Sequence, residues 1–173
     1  MPRRWVPNVI TVIGLVAGFA AIGAGFLHLS GLAVLFILGA ALVDSVDGQI
    51  ARRLNISGVA RNLDLLADLI SFGIAPAVVA YFLDFAQLGW NGCILAAVFP
   101  VCGLLRLLTF SKFQVKTYYV GLPLPGSGAL LAIWAYLAQS MPVVLQAMVM
   151  LVLAALMVST VRLPRVRLVK RSA

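Results

Sequence analysis

The chain has 173 residues, 63% of them hydrophobic and only 10% charged, with 13 Lys and Arg against five acidic residues and a net charge of +8. So little polar surface excludes an ordinary soluble domain and describes a single helical membrane domain over residues 1–173. The basic residues border apolar segments and do not gather on a soluble module, so the charge points to anionic lipid and away from nucleic acid.

A hydrocarbon core of roughly 30 Å asks for about 20 apolar residues per helix. Six stretches answer to that length, at about 8 to 29, 32 to 53, 62 to 84, 90 to 111, 124 to 140 and 142 to 162. The first follows Pro2-Arg3-Arg4-Trp5 without a small-residue cleavage pattern, so it is expected to be a retained span. It carries Gly14 and Gly18, spaced to form a packing face for another helix. His28, just after it, has no acidic neighbour and is expected at the interface. Pro76 and Pro100 are expected to kink the third and fourth helices. Cys93 and Cys102 share one apolar stretch and suggest neither a disulfide framework nor a metal site.

Six spans place all 13 Lys and Arg on one side: Arg3 and Arg4, Arg52 to Arg61, Arg106 to Lys116, and Arg162 to Arg171. The positive-inside rule assigns that side to the cytoplasm. The predicted fold is therefore an all-α integral membrane protein with six transmembrane helices and both termini cytoplasmic.

The second and third stretches carry Asp44, Asp47, Asp64 and Asp68, and the chain has no Glu at all. Unpaired carboxylates in hydrocarbon cost several kcal/mol each, so the four need a cation. At about 100° per residue, Asp44, Asp47, Gly48, Ala51 and Arg52 share one helical face with a Gly and Ala floor. Asp64, Ala67, Asp68 and Ser71 line up alike on the next helix, with Arg61 close to the stripe. A short turn joins the two helices, and the four carboxylates fall at one depth, roughly 10 to 12 Å from the basic helix ends. All-oxygen ligands of that charge suit two hard divalent cations, Mg²⁺ or Mn²⁺, more than Zn²⁺. Two such ions beside an Arg match a diphosphate substrate, and a carboxylate not saturated by metal can serve as base. A purely structural carboxylate and Arg network is the plain alternative. An ion or proton transporter would also keep Asp in its helices, and a lipid-binding scaffold could keep the same fold without turnover.

The run Asp44-Ser-Val-Asp47-Gly48-Gln-Ile-Ala51-Arg52, with Asp64-Leu-Leu-Ala-Asp68, resembles the signature of the CDP-alcohol phosphatidyltransferases. Pro7-Asn8-Val9-Ile10-Thr11, the run from Asp68 to Pro76, Leu105-Arg106-Leu107 and Gly121-Leu-Pro-Leu-Pro125 extend the resemblance toward the phosphatidylserine synthase branch. In two places the chain departs from that pattern. The spacer after Arg52 is one residue short with Ala60 where the family has Gly, which Gly58 could replace. After Leu107 the chain reads Leu108-Thr109-Phe110-Ser111 where the serine synthases have Ala-Arg-Phe-Asn.

The resemblance implies transfer of a phosphatidyl group from CDP-diacylglycerol to a small alcohol, serine first and glycerol phosphate or inositol phosphate as alternatives, with release of CMP. It implies Asp44, Asp47, Asp64 and Asp68 as metal ligands, with Asp68 also the catalytic base. Gly48, Ala51, Arg52, Gly58 and Arg61 would contact CDP-diacylglycerol. An amino-acid acceptor brings a carboxylate to an acidic site and needs its own cation; Arg106, Lys112 and Lys116 are the candidates, Arg106 the best placed, and Ser71 is assigned to the same acceptor site. It also implies a homodimer in the inner membrane with its active site facing the cytoplasm.

Overall fold

The computed structural model describes residues 5–54, 59–110, 118–159 and 162–164, and within these the side chains of 5–10, 46–54, 59–63, 110, 118–120 and 162–164 are excluded. Among the described residues six helices account for the fold. They are α1 (Trp5–Phe26), α2 (Ser30–Leu54), α3, α4 (Trp90–Phe110), α5 (Leu124–Leu137) and α6 (Val143–Val158). Helix α3 is continuous from residue 59 to 88, but changes its winding: α-helical over Val59–Asp68, π-helical over Leu69–Ile74, α-helical over Ala75–Ala80, π-helical over Tyr81–Phe85, and 3₁₀ over Ala86–Leu88. Each of the six expected stretches contains a helix, with α3 running four residues further than expected and α1, α5 and α6 ending earlier. Asp64–Leu88 and Trp90–Thr109 are long and apolar enough to cross a membrane, while the other apolar helical runs among the described residues have 10–17 residues.

Helix α3 occupies the centre. Half of its apolar stretch is buried inside the bundle, against 22% for that of α4. Its buried residues join both hydrophobic clusters, Phe72, Ala75 and Val79 in one and Ala77, Ala80 and Phe85 in the other. A helix packed against several neighbours needs more than one face to accept them, and the π turn shows how this is met. Ser71, Phe72 and Gly73 are consecutive and all buried. Each faces a different helix: Ser71 lies against Gly18 of α1, Phe72 against Gly128 of α5, and Gly73 against Pro100 of α4.

Parallel helices α1 and α3 meet in a seven-residue register, with Thr11 bonded to Asp64, Gly18 touching Ser71 and Gly25 touching Val79. Ser71 and Val79 are eight residues apart, and the wider π turn between them absorbs the extra residue. The face with Gly14 and Gly18 is thus a packing face, as expected. Pro76 lies two residues after the end of the π turn within a continuous helix. A proline cannot donate to the carbonyl four residues back, here that of Phe72, and it is against this carbonyl that the Gly128 backbone packs.

Loop ends are closed by specific bonds. The buried Gln146 amide donates to the carbonyls of Ala138 and Met141 at 3.0 and 3.2 Å, satisfying the exit of α5 from α6. His28 has φ 56° in the exposed turn between α1 and α2, edge-on to Phe82. Among the described residues one element is not helical. Tyr118–Val120 pairs antiparallel with Arg162–Pro164, tying the segment before α5 to the segment after α6. Gly121 follows at φ 70°, and a Cβ there would lie 2.8 Å from the Ser159 carbonyl oxygen and 2.9 Å from that of Met157. Only glycine fits that turn without strain.

The same geometry sets a test of the packing. A Cβ at Gly128 would overlap the Phe72 carbonyl oxygen and lie 2.9 Å from its Cα, both backbone atoms, whereas one at Gly23 meets nothing within 4 Å. Gly128→Ala is expected to cost about 1–3 kcal/mol, seen as a lower melting temperature in detergent, while Gly23→Ala leaves it unchanged or higher.

Candidate metal and substrate site

Three of the four predicted carboxylates meet. Asp44 comes from α2, and Asp64 and Asp68 from adjacent turns of the first, α-helical part of α3. Each offers an oxygen, and these oxygens all lie within 4.8 Å of one another. The three side chains are half-buried. Their spacing follows from helix geometry: Asp64 and Asp68 are one turn apart on the same face, and the reversal between α2 and α3 brings Asp44 opposite. Oxygen-only donors at this separation fit a hard divalent cation, which accepts carboxylate ligands at about 2.0–2.6 Å. No other donor type stands among the three, so the set gives no preference to softer metals.

A small, partly open cleft adjoins the cluster. Its walls come from α1, α2 and α3, with Thr11, Val43, Ala67 and Ser71 beside the three Asp residues. Small residues keep the floor open, since Gly14, Ala40 and Ala67 leave the carboxylates accessible. Thr11 hydrogen-bonds Asp64, and the Ser71 hydroxyl donates to the Gly14 carbonyl at 3.0 Å. Neither α1 contact was singled out from the sequence as part of the site. The recurrence of Thr11, Gly14 and Gly18 at i, i+3 and i+7 was the available signal.

The remaining site residues are described in part. Asp47, Gly48, Ala51 and Arg52 continue α2 beyond Asp44, and Arg61 lies in the first turn of α3, but their side chains fall outside the described residues. Gly58, Lys112 and Lys116 also fall outside them. Ala60, the departure from the expected glycine, is the second residue of α3.

Arg106 is half-buried in α4, and its Nε is a buried donor without a hydrogen-bond partner. Its height follows from two contacts between antiparallel helices. A Cβ on Gly73 would lie 3.6 Å from the Pro100 Cα, and one on Gly103 would lie 3.6 Å from Leu69 Cδ1. One more turn along that register sets Arg106 level with residues 66 to 67, between Asp64 and Asp68. The cation expected to serve the acceptor therefore stands at the depth of the acidic cluster.

Known proteins resemble this chain over most of its length. The profile of the CDP-alcohol phosphatidyltransferase family matches residues 4–162. The CDP-diacylglycerol--serine O-phosphatidyltransferase of Bacillus subtilis is 36% identical over 135 residues, covering 77% of this chain and 76% of that protein. The archaetidylserine synthase of Methanothermobacter thermautotrophicus is 31% identical over 170 residues, 93% of this chain and 70% of that one. The CDP-diacylglycerol--serine O-phosphatidyltransferase of Methanocaldococcus jannaschii is 30% identical over 161 residues, 92% of this chain and 74% of its own length. With residues 4–162 matched, nearly its whole length, the chain belongs to the CDP-alcohol phosphatidyltransferase family.

Proposed function

We propose that this chain transfers the phosphatidyl group of CDP-diacylglycerol to the hydroxyl of serine, giving phosphatidylserine and CMP. The observation that carries the reading is the meeting of Asp44, Asp64 and Asp68 within 4.8 Å in a chain of this family. Serine as acceptor is supported by the relatives above, all three of which have it in their names.

Two divalent cations, Mg²⁺ or Mn²⁺, would be held by Asp44, Asp47, Asp64 and Asp68, and when bound they neutralise the diphosphate and polarise its phosphorus. Gly48, Ala51, Arg52, Arg61 and Gly58 would bind the nucleotide diphosphate, as the family resemblance implies. Asp68 takes the proton of the serine hydroxyl as that oxygen bonds to the β-phosphorus. The phosphoanhydride bond to CMP breaks in the same displacement. Arg106 receives the serine carboxylate, because a buried guanidinium Nε without a partner favours an anionic acceptor. Lys112 adds charge on that side. Ser71 has its proton committed to Gly14, so its oxygen is left as an acceptor suited to the serine ammonium.

The membrane arrangement belongs to the same proposal: a multi-pass inner-membrane protein of six spans, both termini and the active site cytoplasmic, working as a homodimer. The spans and their orientation are supported by the run of six helices together with the one-sided Lys and Arg, and the homodimer by the family resemblance alone.

Purified protein given labelled CDP-diacylglycerol should release CMP with serine, far more slowly with glycerol phosphate or inositol phosphate, and not at all in EDTA. Asn at Asp44, Asp64 or Asp68 should lower kcat by at least about 10²-fold, the scale of one general base or charged ligand. Preference for a phosphorylated polyol would remove the serine assignment, and full turnover in EDTA would remove the metals. Arg106→Ala should raise the KM for serine strongly and leave that for CDP-diacylglycerol unchanged; the opposite split would move Arg106 to the donor site. Cys introduced at Ser57 should react with an impermeant thiol reagent from the cytoplasmic side only, and Cys at Gln139 from the other side only. The reverse pattern would invert the topology.

A further inference from the structure

Thr11 has no part in the reaction written above, yet its side chain lines the acidic cavity and hydrogen-bonds Asp64. The contacts around it fix where that hydroxyl stands. A Cβ on Gly18 would lie 2.6 Å from Ser71 Oγ and 2.9 Å from Ser71 Cα, so α1 approaches α3 as closely as glycine permits. The Ser71 hydroxyl, bonded to the Gly14 carbonyl at 3.0 Å, sets the height of one helix against the other. Two turns back along both helices, the seven-residue register delivers Thr11 to Asp64. A tight glycine crossing and a buried hydrogen bond thus serve as the mount for one polar contact, which ends on a carboxylate of the cluster.

A carboxylate on a helix can rotate about its side-chain bonds and present either oxygen. Asp64 lies within 4.8 Å of two like groups, and repulsion would turn it outward in the absence of a restraint. A hydroxyl has one proton to donate; given to one carboxylate oxygen, it leaves the other aimed elsewhere.

We propose that Thr11 is the positioning residue of this site: its hydroxyl, donated to Asp64, holds that carboxylate turned toward Asp44 and Asp68 so that the three close on a divalent cation. The proposal rests on the metal-binding reading of the cluster given above. Thr11 touches neither the reacting hydroxyl nor the phosphorus and acts through Asp64. Valine has the same shape without the proton donor, and serine keeps the donor with one methyl fewer.

Mn²⁺ titrated into the purified full chain in nanodiscs, with free ion read by its paramagnetic resonance signal, separates the possibilities. Thr11→Val should weaken Mn²⁺ binding by about 10- to 100-fold and Thr11→Ser by no more than about threefold, on the scale found for groups that orient metal ligands. Turnover by Thr11→Val should need more Mn²⁺ for half-maximal rate and recover near wild-type kcat at saturation, a rescue that a packing defect would not show. Thr11→Ala, read in the same way, takes the place of the valine variant should that one not fold. Wild-type affinity in Thr11→Val, or an equal loss in Thr11→Ser, would overturn the role of Thr11 and leave the metal site standing. Wild-type protein that binds no Mn²⁺ would overturn both.

Discussion

Carboxylates that approach one another inside an apolar bundle repel, and the site is built around that repulsion. Two unit charges 4.8 Å apart, the upper limit for the oxygens of Asp44, Asp64 and Asp68, interact by about 3–4 kcal/mol at an effective dielectric near 20. Three such pairs approach the whole net stability of an ordinary domain, roughly 5–15 kcal/mol. A chain that holds three carboxylates so close needs positive charge among them, and it needs a frame stiff enough to hold them ready. The first need gives the site its chemistry. The second accounts for much of the fold.

The frame is α3. A straight α-helix presents successive residues about 100° apart, and a helix surrounded by α1, α4 and α5 must serve each of them. The π turn directly after Asp68 lets Ser71, Phe72 and Gly73 be buried in succession, each against a different neighbour. Those contacts are made at backbone distance through Gly18, Gly128 and Gly73 itself, and backbone contacts have little freedom to shift. Asp64 and Asp68 are thereby carried on the helical turns directly before this tightly packed stretch, with the cleft beside them. Rigidity next to an open cavity is what a preorganised site requires.

Much of this was legible in the residues. Four Asp in apolar segments, at helical spacing and on either side of a short turn, pointed to a shared site, and three of the four are found together in the structure. The six helices were legible as well, because apolar length is a direct signal. The π turns of α3 were not. They arise from tertiary demand on a central helix, and no local residue pattern distinguishes Leu69–Ile74 from ordinary apolar helix. The ribbon between Tyr118–Val120 and Arg162–Pro164 joins segments more than forty positions apart and has no local signature either. The α1 wall of the site lay between these cases. Thr11, Gly14 and Gly18 showed a helical stripe, but small residues have so many uses in membrane helices that the stripe alone could not name its partner. Similarly, Arg106 was legible as a cation in a span, while its depth beside the cluster depended on the register of α4 against α3.

The central claim is that the three carboxylates form a divalent cation site. Crystals of the protein soaked in Mn²⁺ and measured at an X-ray energy where manganese scatters anomalously test it directly. The account expects an anomalous peak bounded by oxygens of Asp44, Asp64 and Asp68 at about 2.0–2.6 Å, the range for hard cations on oxygen. Well-ordered density for all three carboxylates with no anomalous peak among them, at a Mn²⁺ concentration that supports turnover, would contradict it.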